Sequence, residues 1–99
     1  MLPALFDAHL HIIDPRHPLI PNQGFVPEPF SVADYRRRTT GLRIIGGAVV
    51  AGSFQAFDTG FLVAALKKLG PSFVGVAQVP GDISDAEILR LDARGVRAV

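Results

Sequence analysis

The chain has 99 residues, 48% of them apolar, and ten Lys and Arg stand against nine Asp and Glu for a formal charge of +1. This suits one globular unit rather than a disordered or fibrous segment, and so balanced a charge supplies no long-range field to gather nucleic acid or anionic lipid. Cysteine is absent, which excludes a disulfide framework, a thiolate metal site and a cysteine nucleophile, and no apolar run reaches the roughly 18 residues of a membrane span.

The opening Met1-Leu2-Pro3-Ala4-Leu5-Phe6-Asp7 lacks a basic segment, and Asp7 breaks its apolar stretch before signal-peptide length, so a cytoplasmic protein is expected. A first strand is predicted from Ala4 to Ile12. Strict alternation puts Phe6, Ala8, Leu10 and Ile12 on one face, and Asp7, His9 and His11 on the other. The oily face should pack beneath helices while the ionisable face looks into the concave side of the sheet. Imidazoles two residues apart on a strand stand side by side, so their lone pairs can converge on one metal ion or one substrate group. His17, between Arg16 and Pro18, reads as ordinary surface.

From Asp14 to Phe30 the chain carries Pro15, Pro18, Pro21, Pro27 and Pro29, which bars helix interior and central strand. An ordered excursion or a lid is expected there, leaving the end of the first strand where an α/β active site lies. Beyond it, Ser31 with Asp34, Asp58 before an apolar pattern, and Ser84 with Glu87 mark three helix starts. Gly41, Gly70 and Gly95 each close a helical segment and precede an apolar run, the pattern of helix-to-strand joints. The basic cluster Arg36, Arg37 and Arg38 reads as a solvated outer helix face.

The later strands are predicted at Ile44–Val50, Phe73–Val79 and Val96–Val99. The first two of these runs are apolar almost throughout, as a parallel sheet covered on both faces requires. Strand and helix alternate along the chain, giving right-handed βαβ units whose main closures are a doubly wound open sheet and a closed barrel. Periodicity does not choose between the two.

The run Phe6-Asp7-Ala8-His9-Leu10-His11-Ile12-Ile13-Asp14-Pro15 resembles the first strand of the amidohydrolase-related barrel hydrolases, the branch that includes the 2-pyrone-4,6-dicarboxylate lactonases and related decarboxylases. That opening is Asp-x-His-x-His, then an apolar pair and a proline. The resemblance extends through Gly52-Ser53-Phe54-Gln55-Ala56-Phe57-Asp58 and Phe73-Val74-Gly75-Val76-Ala77-Gln78. It implies an α/β fold whose parallel (β/α) units form the first three and a half units of a TIM (β/α)8 barrel, with residues 1–99 as the N-terminal part of a single barrel hydrolase domain. Such a barrel needs roughly 250 residues.

The resemblance further implies hydrolysis of a carbonyl C–O or C–N bond in a small carboxylated substrate such as a lactone. His9 and His11 become the catalytic pair and the ligands of a divalent metal ion, zinc by preference. Metal-free members use the same histidines to polarise the substrate, and the remaining ligands of the metal-dependent ones come from strands beyond Val99. Ser53, Gln55 and Gln78 fall at the strand ends where substrate binds, and Phe25 stands where related sequences carry a tyrosine, removing a phenolic hydroxyl. Two alternatives stand beside this reading: a decarboxylase of the same superfamily, and a non-catalytic half-barrel that needs a second copy or the missing barrel half as partner. A small-molecule substrate is implied; nucleic acid and membrane are not.

Overall fold

The computed structural model describes residues 2–99. The elements are β1 (Ala4–Leu10), α1 (Val32–Arg38), β2 (Arg43–Val50), a 3-10 turn (Ser53–Gln55), α2 (Gly60–Leu69), β3 (Phe73–Val76), α3 (Asp85–Ala93) and β4 (Val96–Ala98). All neighbouring strands are parallel, and they lie in the order β1-β2-β3-β4. That order decides what periodicity left open. A doubly wound sheet reverses direction at a switch point, whereas a barrel adds each strand beside the last. These units add in one direction only, as the opening of a (β/α)8 barrel does.

The helix starts follow from local hydrogen bonds. Ser31 Oγ accepts from the Asp34 amide at 3.1 Å while the Asp34 carboxylate accepts from the Ser31 amide at 2.9 Å, a reciprocal cap. Ser84 accepts from the Glu87 amide at 3.2 Å. The start predicted at Asp58 moves to Gly60, because the Asp58 amide donates to Gln55 O and belongs to the preceding turn. Arg36 donates to the carbonyl of Lys68 at 2.7 Å, placing a cation on the last turn of α2 where the helix dipole favours one. Among the described residues no helix is long and apolar enough to cross a membrane.

Right-handed crossovers put the helices on one face of the sheet. Leu10 and Val49 of the strands meet Tyr35, Phe61, Leu62 and Leu66 of the helices in the core. The opposite face is uncovered: Phe6 is 55% and Ile45 53% exposed. The least extent of the molecule is accordingly 19 Å, one sheet and one layer of helices.

Three predicted strands end early, β4 by a single residue at Ala98. Ile12 O accepts from the Gln55 side chain, and Ile13 exchanges two 2.8 Å backbone bonds with Phe30, so the chain beyond Leu10 leaves the ladder for loop partners. β3 stops at Val76, although the Ala77 amide still reaches Ala98 O at 2.9 Å.

The alternation predicted for β1 also needs correction. Asp7 pairs with Gly47 and Leu10 with Val49, three steps on β1 against two on β2. One extra residue in a strand reverses the alternation beyond it. Asp7 therefore shares the helix side with Leu10, where its carboxylate accepts from the Tyr35 hydroxyl at 2.9 Å, while Phe6, expected beneath the helices, is exposed. Gly47 permits the irregularity, since a Cβ there would lie 2.8 Å from Asp7 O and from the Phe73 ring.

The proline-rich excursion is an ordered strap. The Ile13–Phe30 bridge closes its base, and at its tip Asn22 and Phe25 exchange backbone bonds around Gln23 and Gly24, both at positive φ, a tight hairpin turn. It docks on the loop after β2: the Ile20 amide donates to Phe54 O at 2.7 Å and the Asn22 side chain to Ser53 Oγ at 2.8 Å. At its start, the Arg16 side chain holds the Asp14 carboxyl down at about 2, through bonds of 3.0 and 2.8 Å. His17, predicted as ordinary surface, is half-buried between Asp14 and Asp58, 3.8 and 4.0 Å from their carboxylates.

Gly47→Ala should lower the urea midpoint markedly, at a cost of about 1–3 kcal/mol for forced overpacking; an unchanged midpoint would show that the strand pair yields at no cost. The depressed Asp14 carboxyl contributes stability above the ordinary carboxylate range of about 4, and that contribution disappears as pH falls through about 2. Arg16→Gln should therefore lower the urea midpoint at pH 6 and leave it close to the parent's near pH 2.

Candidate active site

His9 and His11 lie at the carboxyl end of β1, the end at which α/β barrels place their chemistry. Leu10 and Ile12, which flank His11 in sequence, are buried in the core, and this turns both imidazoles to the uncovered side, where they are exposed. Their Nε2 atoms stand 3.3 Å apart with the rings edge to face, 4.9 Å between centroids.

The carbonyl of Val50, at the end of β2, lies 2.8 Å from His11 Nδ1. A carbonyl only accepts, so the neutral ring carries its proton on Nδ1 and presents the Nε2 lone pair outward. This is how a metal-binding histidine is commonly oriented by its outer partner. Phe54, whose ring centroid is 6.4 Å from that of His11, forms an apolar wall beside it.

Two nitrogens bound to one tetrahedral ion at about 2.05 Å are about 3.3 Å apart, so the separation observed suits a shared ion. Once His9 also carries its proton on Nδ1, the pair supplies two neutral nitrogen donors of the borderline-soft kind that zinc takes. Among the described residues no group of three or more His, Cys, Asp or Glu side chains comes together as a metal set. His9 and His11 are thus a two-donor fragment of a site. The pair can also act without an ion, as a donor and an acceptor toward a carbonyl or carboxylate.

The other predicted binding residues divide. Ser53 is exposed on the turn after β2, and its hydroxyl accepts from Asn22, so it anchors the strap at the edge of the site. Gln55 does not fit the role expected of it. At 2% exposure, its amide nitrogen donates to Ile12 O at 2.8 Å and its oxygen accepts from the Gly52 amide at 2.9 Å, tying two chain segments together rather than facing a ligand. Gln78 is exposed two residues beyond β3, and Phe25 is 63% exposed at the strap's tip.

Periodicity gave no indication of the Asp7–Tyr35 bond, the Val50 carbonyl or Phe54. The one signal was Gly46-Gly47 inside β2, since glycine within a strand marks an irregularity or a close approach.

No family model matches the chain. It is similar to the 2-pyrone-4,6-dicarboxylate hydrolase of Comamonas testosteroni, 35% identical over 101 residues that take in 99% of this chain and 33% of that protein. Among solved structures it aligns with a ligand-free Agrobacterium tumefaciens protein at a TM-score of 0.82 and 24% identity, over 96% of this chain and 36% of that one. It aligns also with a candidate 2-pyrone-4,6-dicarboxylic acid hydrolase of Acinetobacter baumannii with citric acid bound, at a TM-score of 0.81 and 20% identity, over 92% and 34%. A candidate enzyme of the same name from Pseudomonas putida gives 0.76 and 23%, over 95% and 35%. The chain is similar along essentially its whole length to the Comamonas testosteroni protein, and it spans about a third of the relatives it matches. The structural likeness establishes the partial-barrel fold.

Long-range proton–nitrogen spectra recorded at a pH where both rings are neutral should show His11 protonated on Nδ1; the Nε2-protonated form would mean that the Val50 carbonyl does not set its tautomer.

Proposed function

We propose that this chain supplies the first part of the active site of a barrel hydrolase that opens a carbonyl C–O bond, as in a lactone, of a small carboxylated substrate. The observation that carries the reading is the His9–His11 pair: two imidazoles with Nε2 atoms 3.3 Å apart, one ring oriented by a backbone carbonyl, at the end of a strand where barrels bind substrate. The similarity to a curated hydrolase of a cyclic dicarboxylate supports the substrate class.

His9 and His11 would hold a divalent ion, zinc by preference. Bound there, such an ion lowers the pKa of a water toward about 7 and polarises a carbonyl. The chain's own groups do the rest. The Val50 carbonyl keeps the His11 proton on Nδ1, so that its Nε2 lone pair stays available. Phe54 walls one side of the pair against water, and Ser53 and Gln78 offer polar groups at the rim to a substrate carboxylate. The carboxylated ligand seen in the Acinetobacter baumannii protein accords with that substrate class. The uncovered sheet face and the one-third span support a partner for this chain, the rest of a barrel or a second copy, without which the 99 residues turn over no substrate.

In the complete enzyme, replacing His9 and His11 together with Ala should cut the hydrolysis of 2-pyrone-4,6-dicarboxylate and simple lactones by roughly a hundredfold or more, the scale of losing a group that stabilises a developing oxyanion. Zinc content should fall in parallel while the denaturation midpoint stays near the parent's, because both rings are exposed. A double variant with parental turnover would overturn the assignment.

A further inference from the structure

We infer that Tyr35 and Asp7 are positioning residues for the imidazole pair: the Tyr35 hydroxyl on α1 holds the Asp7 carboxylate, which holds the His9 backbone amide and so fixes where the His9 ring stands relative to His11. The inference rests on the proposed role of the histidines and adds to it a connection from the helix layer.

The irregularity in β1 creates the need. Ala8 and His9 lie between the paired residues Asp7 and Leu10 and have no partner in the register with β2. The extra residue of such an irregularity is left without its ladder bond, and an unpaired amide readily changes direction. In this chain the His9 amide donates to Asp7 Oδ1 at 3.3 Å, and the other carboxylate oxygen accepts from Tyr35 at 2.9 Å. The carboxylate is therefore held at both ends, one by the very backbone that carries the His9 ring.

Tyr35 is a firm anchor. It is 5% exposed, and its ring stands edge-on to Phe73 with 6.1 Å between centroids. Burial first, and then the Asp7 carboxylate, push its hydroxyl well above the ordinary tyrosine value, so it remains a donor through the working pH range. Gly47 packs closely against the same place, its absent Cβ leaving room for Asp7 O, Phe73 and Leu10. The position of His9 is thereby set from the core, while that of His11 is set independently by Val50 O.

The two anchors matter jointly because convergence on one ion or one carbonyl is a condition on the distance between the Nε2 atoms. A shift of about 1 Å at such a site can cost about a hundredfold. A tyrosine serving only the core would stabilise the fold without affecting that distance.

The test uses Tyr35→Phe, which keeps the ring and removes the hydroxyl, and Asp7→Asn, whose amide can still accept from His9 while donating to Tyr35. Hydrogen exchange at the His9 amide and long-range proton–nitrogen spectra of both rings are recorded on the full-length protein without metal or substrate, and zinc affinity is measured by titration. Tyr35→Phe should speed His9 exchange about tenfold relative to core amides of α2, alter the His9 ring signals while sparing those of His11, and weaken zinc binding by roughly ten- to a hundredfold, the range for loss of an outer-shell partner. Asp7→Asn should weaken zinc binding less than Tyr35→Phe does, because its amide keeps both hydrogen bonds available; a larger loss than in Tyr35→Phe would count against the inference. Parental exchange, ring spectra and zinc affinity in Tyr35→Phe would overturn the inference. So would a uniform loss of protection across the sheet, which marks a purely structural role. Should the parent bind no zinc, the metal reading of the site fails, and the exchange rates and ring spectra still decide the role of Tyr35 and Asp7.

Discussion

The extra residue that β1 carries between Asp7 and Leu10 governs the carboxyl end of this sheet. Without it, Asp7 would share a face with His9 and His11, and Phe6 would lie beneath the helices. With it, the carboxylate turns toward Tyr35, the imidazoles remain on the open side, and Leu10 and Ile12 still reach the core. The irregularity thus separates an acidic anchor from a basic pair that a regular strand would have left in contact. That separation turns the carboxylate to the helix side and leaves the ring nitrogens on the open side. Irregularities of this kind re-aim side chains beside active sites in many sheets, and glycine at position 47 makes this one sterically possible.

The same uncovered face accounts for how the molecule is stabilised. Helices cover one side of the sheet, where Phe61, Leu62 and Val49 are almost wholly buried, while Phe6 and Ile45 on the strands and Leu89 at 68% exposure on α3 are left to solvent. Burying a large apolar side chain completely contributes about 1.5–3 kcal/mol, and each of these has roughly half or more of that still to gain. Among the described residues, β1 and β4 each have one strand neighbour, so both edges carry backbone groups free to pair. Further strands, or another copy, would satisfy the edges and cover the face together. In a closed barrel the interior is packed by layers of side chains drawn from alternate strands around the whole circle, so the four strands present here cannot fill it.

How far the sequence anticipated this can be judged residue by residue. The Ser31–Asp34 and Ser84–Glu87 starts were legible because capping depends on a four-residue window and little else. Parallel pairing was legible because β2 is apolar almost throughout. The reversal at Asp7 was not, since strict alternation is a property of a regular ladder and the extra residue is a property of two strands matched together. Gln55 was misplaced for a related reason: an amide following a strand looks the same whether it faces a ligand or ties Ile12 to Gly52, and only tertiary contact separates the cases. The closeness of His9 and His11 was legible from spacing two on a strand, but the Val50 carbonyl that orients His11 comes from 39 residues away.

The strap shows how a long, proline-rich connection is fastened into the rim beside the imidazole pair. Prolines lower the entropy of the unfolded chain, and this segment spends its remaining freedom on specific bonds: the Ile13–Phe30 bridge at the base, Ile20 and Asn22 on the turn after β2, and Arg16 on Asp14 near the start. Those bonds fasten the first β/α connection to the second. The turn that receives the strap carries Phe54, which walls His11, and its Gln55 holds the chain just beyond the histidines at Ile12. Position therefore passes from one loop to the next around the rim: the strap holds the turn, the turn holds the end of β1, and the end of β1 presents the imidazoles. A site assembled from consecutive loops in this way needs each loop to be ordered by its neighbour, and a barrel provides such neighbours in sequence around its mouth.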